Sequence, residues 1–94
     1  MFRLDVEIYG VPHQIAAPRQ VAVDLAEGAL LSDVIAALRR EIPGLAGPVL
    51  RPDADSLTER YAFNVNGSFY YQDGGGLRLK AGDRIALLSI ATGG

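Results

Sequence analysis

The 94-residue chain closes on Gly93-Gly94, joined through Ala91-Thr92 to a strand-like run, Arg84-Ile85-Ala86-Leu87-Leu88-Ser89-Ile90. Glycine has no Cβ and accepts almost any backbone angle, so such an end forms a slim tail. A slim tail can thread a narrow channel in another protein, where its α-carboxylate can be activated. The plainer reading is an ordinary frayed terminus. Which of the two holds depends on what the rest of the chain builds in front of the tail.

No other residue cluster offers comparable chemistry. His13, the only histidine, stands between Pro12 and Gln14 and reads as a surface turn residue. Asp73-Gly74-Gly75-Gly76 lacks the Lys-Ser/Thr that would reach a phosphate and its metal, and no helix pattern follows it, so it reads as a plain loop. Asp53, Asp55 and Glu59 have neither the glycine turn nor the spacing of a calcium loop. Tyr70-Tyr71 reads as strand packing rather than a base-stacking platform. Arg39-Arg40 fits dipole complementarity at a helix end. No cysteine is present, which excludes disulfides, thiolate catalysis and cysteine-based metal sites.

Ninety-four residues suffice for one domain with one modest core, so residues 1–94 are read as a single unit with a flexible tail at 91–94. Apolar residues make up 49% and charged residues 21%, the balance of a soluble globular domain. The formal net charge of −2, with scattered basic residues, argues against nucleic acid as a partner. The N-terminal residues alternate charged and apolar, and no apolar run approaches the ~20 residues of a membrane span. These features predict a cytoplasmic protein with no membrane partner.

The elements that would carry the tail are legible in hydrophobic period. Phe2, Leu4, Val6 and Ile8 alternate with Arg3, Asp5, Glu7 and Tyr9, predicting a half-buried first strand broken at Gly10-Val11-Pro12. Val21, Val23 and Leu25 predict a second strand, able to pair with the first as an antiparallel hairpin with a long loop. Leu31, Val34, Ile35, Leu38 and Ile42 recur at helical spacing, with Ser32 as the expected N-cap and Pro43-Gly44 as the stop. Leu45 to Arg60, with Gly47, Pro48 and Pro52, reads as an irregular, mobile loop. Ala62–Val65 and Ser68–Tyr71 flank Asn66-Gly67, the favoured two-residue hairpin turn. Leu79-Lys80-Ala81-Gly82-Asp83 turns into the last strand. That strand is apolar on both faces, Ile85 and Leu87 on one, Leu88 and Ile90 on the other, as suits a central strand. One helix must then cover one face of a mixed sheet of about five strands, an α+β fold with the β-grasp arrangement of ubiquitin-like proteins.

Four stretches together resemble the MoaD/ThiS family of ubiquitin-like sulfur carriers. They are the helix Ser32–Ile42, the segment Phe63-Asn64-Val65-Asn66-Gly67, the run from Leu79 to Leu88, and Gly93-Gly94. The resemblance spans nearly the whole chain. Ser89-Ile90-Ala91-Thr92 stands where molybdopterin-type members usually carry prolines, and the segment from 45 to 60 is longer than in thiamine-type carriers.

The resemblance implies a specific chemistry. A ubiquitin-activating-like adenylyltransferase would use ATP to convert Gly94 to an acyl-adenylate. A sulfur donor, a sulfurtransferase or desulfurase, would then displace AMP and leave a thiocarboxylate. The sulfur would pass to a substrate held by a large synthase subunit or another acceptor enzyme, in molybdopterin synthesis first, with thiamine, cysteine or tRNA thiolation as other destinations. The chain itself would be no enzyme and would hold no metal or cofactor. Thr92 and Gly93 would be read by the partner's channel. Independently of the resemblance, one helix can cover only one apolar face of the last strand, so Leu88 and Ile90, or Ile85 and Leu87 if the register is shifted by one, are expected on the face left for the partner. The alternatives are a modifier conjugated to target lysines through Gly94, with Lys80 as the single lysine for self-linkage, and a β-grasp binding module without sulfur chemistry.

Overall fold

The computed structural model describes residues 1–51, 56–67, 69–71 and 77–90, with backbone only at 69–71. β1 (Phe2–Tyr9) and β2 (Gln20–Leu25) form the antiparallel pair expected, in register from Phe2↔Leu25 to Glu7↔Gln20. Alternation sets their faces: Leu4, Val6, Ile8, Val23 and Leu25 are buried, while Arg3, Asp5, Ala22 and Asp24 face solvent. Arg19 stitches the long loop between them, donating to the carbonyl oxygens of Val11 at 2.9 Å and of Ala16.

Helix α1 (Leu31–Glu41) starts and ends one residue before the sequence reading. Leu31 is wholly buried, so core packing draws it into the first turn and moves the cap to Leu30. Ser32, expected as the cap, therefore lies inside that turn. The exposed Leu30 N–H is satisfied instead by the Asp33 carboxylate at 2.8 Å, the reach-back half of a capping box. Leu31, Val34, Ile35 and Leu38 form the stripe laid on the sheet, and Arg39 and Arg40 occupy the last turn.

The segment after the helix differs most from expectation. A 3-10 turn (Pro43–Leu45) is followed by short bridges, Ala46↔Leu50 and Leu50↔Leu57. Leu45, Val49 and Leu50 are wholly buried, and the Thr58 N–H donates to the Val49 carbonyl at 2.8 Å. These apolar side chains close the core beside the helix, so residues 45–51 and 56–60 are packed structure; residues 52–55 lie outside the described residues. A Cβ on Gly44 would stand 2.7 Å from the Ile15 carbonyl oxygen, so this segment is also pressed against the β1–β2 loop.

β3 (Tyr61–Val65), β4 (Phe69–Tyr71) and β5 (Ile85–Ser89) complete a five-stranded sheet of order β2-β1-β5-β3-β4. β5 is central as expected, parallel to β1 and antiparallel to β3. Val65 pairs with Phe69, so three positions separate β3 from β4 and the hairpin loop is one residue longer than anticipated. Asn66 and Gly67 still supply the two left-handed positions, φ 56° and 75°. Their turn is tied to the turn before β5. The Asn66 N–H donates to the Arg84 carbonyl at 2.8 Å, and the Arg84 N–H donates back to Asn66 Oδ1 at 2.9 Å. One helix on one face of a mixed sheet with a central parallel pair is the β-grasp fold.

Candidate functional site

The site is built on the sheet face that α1 leaves uncovered. Along β5, Ile85 and Leu87 point into the core, while Ala86 and Leu88 alternate to the opposite face and are half-buried. Ile90 follows at 36% exposure. In the parallel ladder Leu88 sits beside Tyr9, itself 51% exposed, and in the antiparallel ladder beside Ala62, which is shut off from solvent. Leu88, Ile90 and Tyr9 thus make an apolar patch at the end of the sheet where β5 finishes. Such a patch on an otherwise polar face is the ordinary mark of a contact surface.

The other end of this face is polar. A shallow groove of about 560 Å³ is lined there by Arg3, Asp5, Glu7, Asn64, Arg84 and Ala86, among others. Arg3 Nε donates to Asp24 Oδ1 at 2.8 Å across the β1–β2 pair. The guanidinium beside it holds the Asp24 carboxyl below its usual range, and the same bond raises Arg3. The Tyr9 hydroxyl donates to Glu7 Oε2 at 2.8 Å, which raises the phenol's pKa, with a further upward push from burial. The face therefore grades from charged to apolar toward the root of the tail.

That root is fixed along its β3 flank. Ser89 pairs with Tyr61, and the Ile90 N–H donates to the Arg60 carbonyl at 2.7 Å. Thr92, Gly93 and Gly94 lie outside the described residues. Of the other residues weighed in the sequence, His13 is exposed in a turn. Lys80 is 82% exposed at its side chain, with Nζ 3.7 Å from Asp83 Oδ1. Asp53, Asp55 and Asp73–Gly76 lie outside the described residues. Among the described residues no three His, Cys, Asp or Glu side chains gather as metal ligands, and no helix is long and apolar enough to cross a membrane.

Two features beside the root carry no signal of that place in the sequence. One is the backbone carbonyl of Arg60, since any residue supplies it. The other is Gly10, which reads only as a strand breaker, although a Cβ there would stand 2.7 Å from the Ser89 Cβ.

The comparisons with known proteins bear on this arrangement. A family model described as the ThiS family matches residues 6–94. A crystal structure of the Haloferax volcanii small archaeal modifier protein 1 is similar at 25% identity and TM-score 0.76, covering 95% of this chain and 98% of that one. One of SAMP1 from Haloferax volcanii gives 26% identity and TM-score 0.77, covering 98% and 99%. A Pyrococcus furiosus protein described as molybdopterin converting factor, subunit 1, shares the fold at 20% identity and TM-score 0.67, covering 95% and 98%. No curated protein sequence matches.

Proposed function

We infer the function from one premise: this chain belongs to the ThiS family. We propose that it is a sulfur carrier whose Gly94 carboxylate is adenylated and then converted to a thiocarboxylate. The observation that carries the proposal is the family match through residue 94, where Gly93-Gly94 follows the central strand of a β-grasp sheet.

The chemistry divides between chain and partners. A carboxylate is a poor electrophile. Attack of the Gly94 carboxylate on the α-phosphate of ATP, with loss of pyrophosphate, gives a mixed anhydride with AMP as a good leaving group. Sulfide displaces AMP directly to give the thiocarboxylate. The persulfide of a sulfurtransferase or desulfurase instead displaces AMP to give an acyl disulfide. A second thiol, itself ending in a disulfide with the donor's sulfur, then releases the thiocarboxylate. That anion is highly nucleophilic, as thiolates are relative to thiols. The chain supplies the carboxyl group, a tail slim enough to enter the activating site, and a docking face of Leu88, Ile90 and Tyr9. Holding that face against the partner makes the encounter of tail and nucleotide effectively intramolecular. The partners are an adenylyltransferase that uses ATP, a sulfurtransferase or desulfurase, and an acceptor enzyme such as a large synthase subunit. The chain acts as their substrate or small subunit, with no cofactor of its own. Molybdopterin synthesis is our first choice of destination; the segment from 45 to 60, longer than in thiamine-type carriers, supports it over that group.

A second reading has an observation of its own. The likeness to a protein named a modifier, at 25% identity over 98% of that chain, supports conjugation of Gly94 to lysines on other proteins. Intact-mass spectrometry of the protein after incubation with ATP, its adenylyltransferase and a sulfur donor separates the two. A mass gain equal to one oxygen exchanged for sulfur is the expected result. A Gly94 isopeptide on a target would support the modifier, and neither product would overturn both.

A further inference from the structure

Asn66-Gly67, in the turn after β3, carries a chemistry of its own. An asparagine followed by glycine is the pair most open to attack by the next backbone nitrogen on the side-chain carbonyl, because glycine has no Cβ to shield that nitrogen. In the fold both ends of the Asn66 amide are occupied. Its Oδ1 accepts from the Arg84 N–H at 2.9 Å, and its Nδ2 donates to Asp83 Oδ1 at 3.2 Å. Asp83 is itself seated, its other oxygen accepting from the Lys80 N–H at 2.9 Å. The Asn66 N–H donates to the Arg84 carbonyl at 2.8 Å. One amide side chain thus clamps the turn after β3 to the turn before β5.

We propose that Asn66 is a deamidation site that this clamp holds shut, and that its conversion unlocks the turn before β5. In the reaction the Gly67 nitrogen forms a bond to Asn66 Cγ, the Cγ–Nδ2 bond breaks, and Nδ2 leaves as ammonia with the proton from the Gly67 N–H. Water then opens the cyclic imide at either carbonyl, giving aspartate or isoaspartate; nothing is oxidised or reduced. Ring closure needs Cγ turned onto the Gly67 nitrogen, which draws the amide off Arg84 and Asp83. At the usual net worth of two such bonds, the fold slows closure at least about tenfold. Either product undoes the clamp. Aspartate sets a second carboxylate where Nδ2 met Asp83 Oδ1, and like charges in contact repel. Isoaspartate adds a methylene to the backbone of a turn built on left-handed φ at Asn66 and Gly67. Both add a negative charge to the groove lined by Arg3, Asp5, Glu7 and Arg84, on the face offered to a partner. None of this depends on the chemistry at the C-terminus.

The test incubates the full-length chain at neutral pH and follows Asn66 by peptide mapping and mass spectrometry, scoring the exchange of NH for oxygen. Folded wild type should react at least about tenfold more slowly than the same chain unfolded in urea. Asp83→Ala removes the acceptor of Nδ2 and should speed the folded chain severalfold. Val23→Ala, a core truncation on the edge strand β2, lowers stability without touching the clamp and should leave the folded rate within about twofold, since the opening is local. Equal rates in folded and unfolded wild type, no acceleration by Asp83→Ala, or the same acceleration by Val23→Ala overturns the inference. Should Asp83→Ala fail to fold, Asn66→Asp decides as a mimic of the product. Its melting temperature should fall below wild type at neutral pH, and the gap should close toward pH ~4, where carboxylates protonate. A mimic as stable as wild type at neutral pH overturns the claim that conversion unlocks the turn.

Discussion

Gly93 has the least room for change in the proposed mechanism. Any side chain there widens the tail and narrows its backbone choices, and a β-branched one does both most strongly. Gly93→Val should leave the melting temperature within about a degree, since a terminus contributes little packing, yet lower transfer by orders of magnitude. Thermal melts paired with activation assays check it; a fully active variant would show that the tail enters no tight site. Asp83 makes the opposite case, a residue that matters to the fold alone. Its side chain is 7% exposed. Burial pushes its pKa up, but the Lys80 N–H at 2.9 Å and the Asn66 amide at 3.2 Å outweigh that and hold it below the usual carboxylate range. A depressed carboxylate stabilises the folded state above its unfolded pKa, and the contribution fades as pH falls through the folded value. Asp83→Ala should therefore cost about 1–3 kcal/mol at pH 7, and its stability should fall less steeply than wild type below pH ~4. Urea melts at both pH values decide, and parallel acid profiles would contradict the assignment.

At the scale of elements, β5 does two jobs with alternate residues. Leu87 is wholly buried, while Leu88 is half-buried on the face opposite α1. Leu87→Arg places a charge in the core and should cost more than ~4 kcal/mol, enough to unfold a domain of this size. Leu88→Arg should change stability by about 1 kcal/mol or less while weakening partner binding. Melting and binding measured on both variants test the split; unfolding by both would remove this face as the docking surface. The strand's two faces were legible because strand period is two and four apolar residues occupy both sides. The helix is legible through its stripe, but its cap stands two residues before Ser32, at Leu30, because Ser32 has the better capping chemistry and Leu31 the deeper burial. The segment from 45 to 60 is irregular, as expected, yet its described part packs into the core. Its glycines, prolines and aspartates mask Leu45, Val49, Leu50 and Leu57, which follow neither a helical nor a strand period and reach the core through irregular turns.

At the scale of the molecule, the order of elements points to the β-grasp sheet, and the family match supplies the expectation that a carboxylate is carried at residue 94. The sequence reveals this much because alternation, an amphipathic stripe and Asn66-Gly67 are local signals. It hides the root of the tail because Gly10 and Ser89 meet across most of the chain's length, and the Arg60 carbonyl belongs to no residue type. The proposed function rests on a carboxyl group presented beyond the sheet, with the catalysis left to its partners. ATP–pyrophosphate exchange by its adenylyltransferase, measured with the wild-type chain and with Gly94 deleted, tests this most directly. The account predicts exchange with the wild type and none with the deletion, at equal melting temperature. Equal exchange by both chains would contradict it.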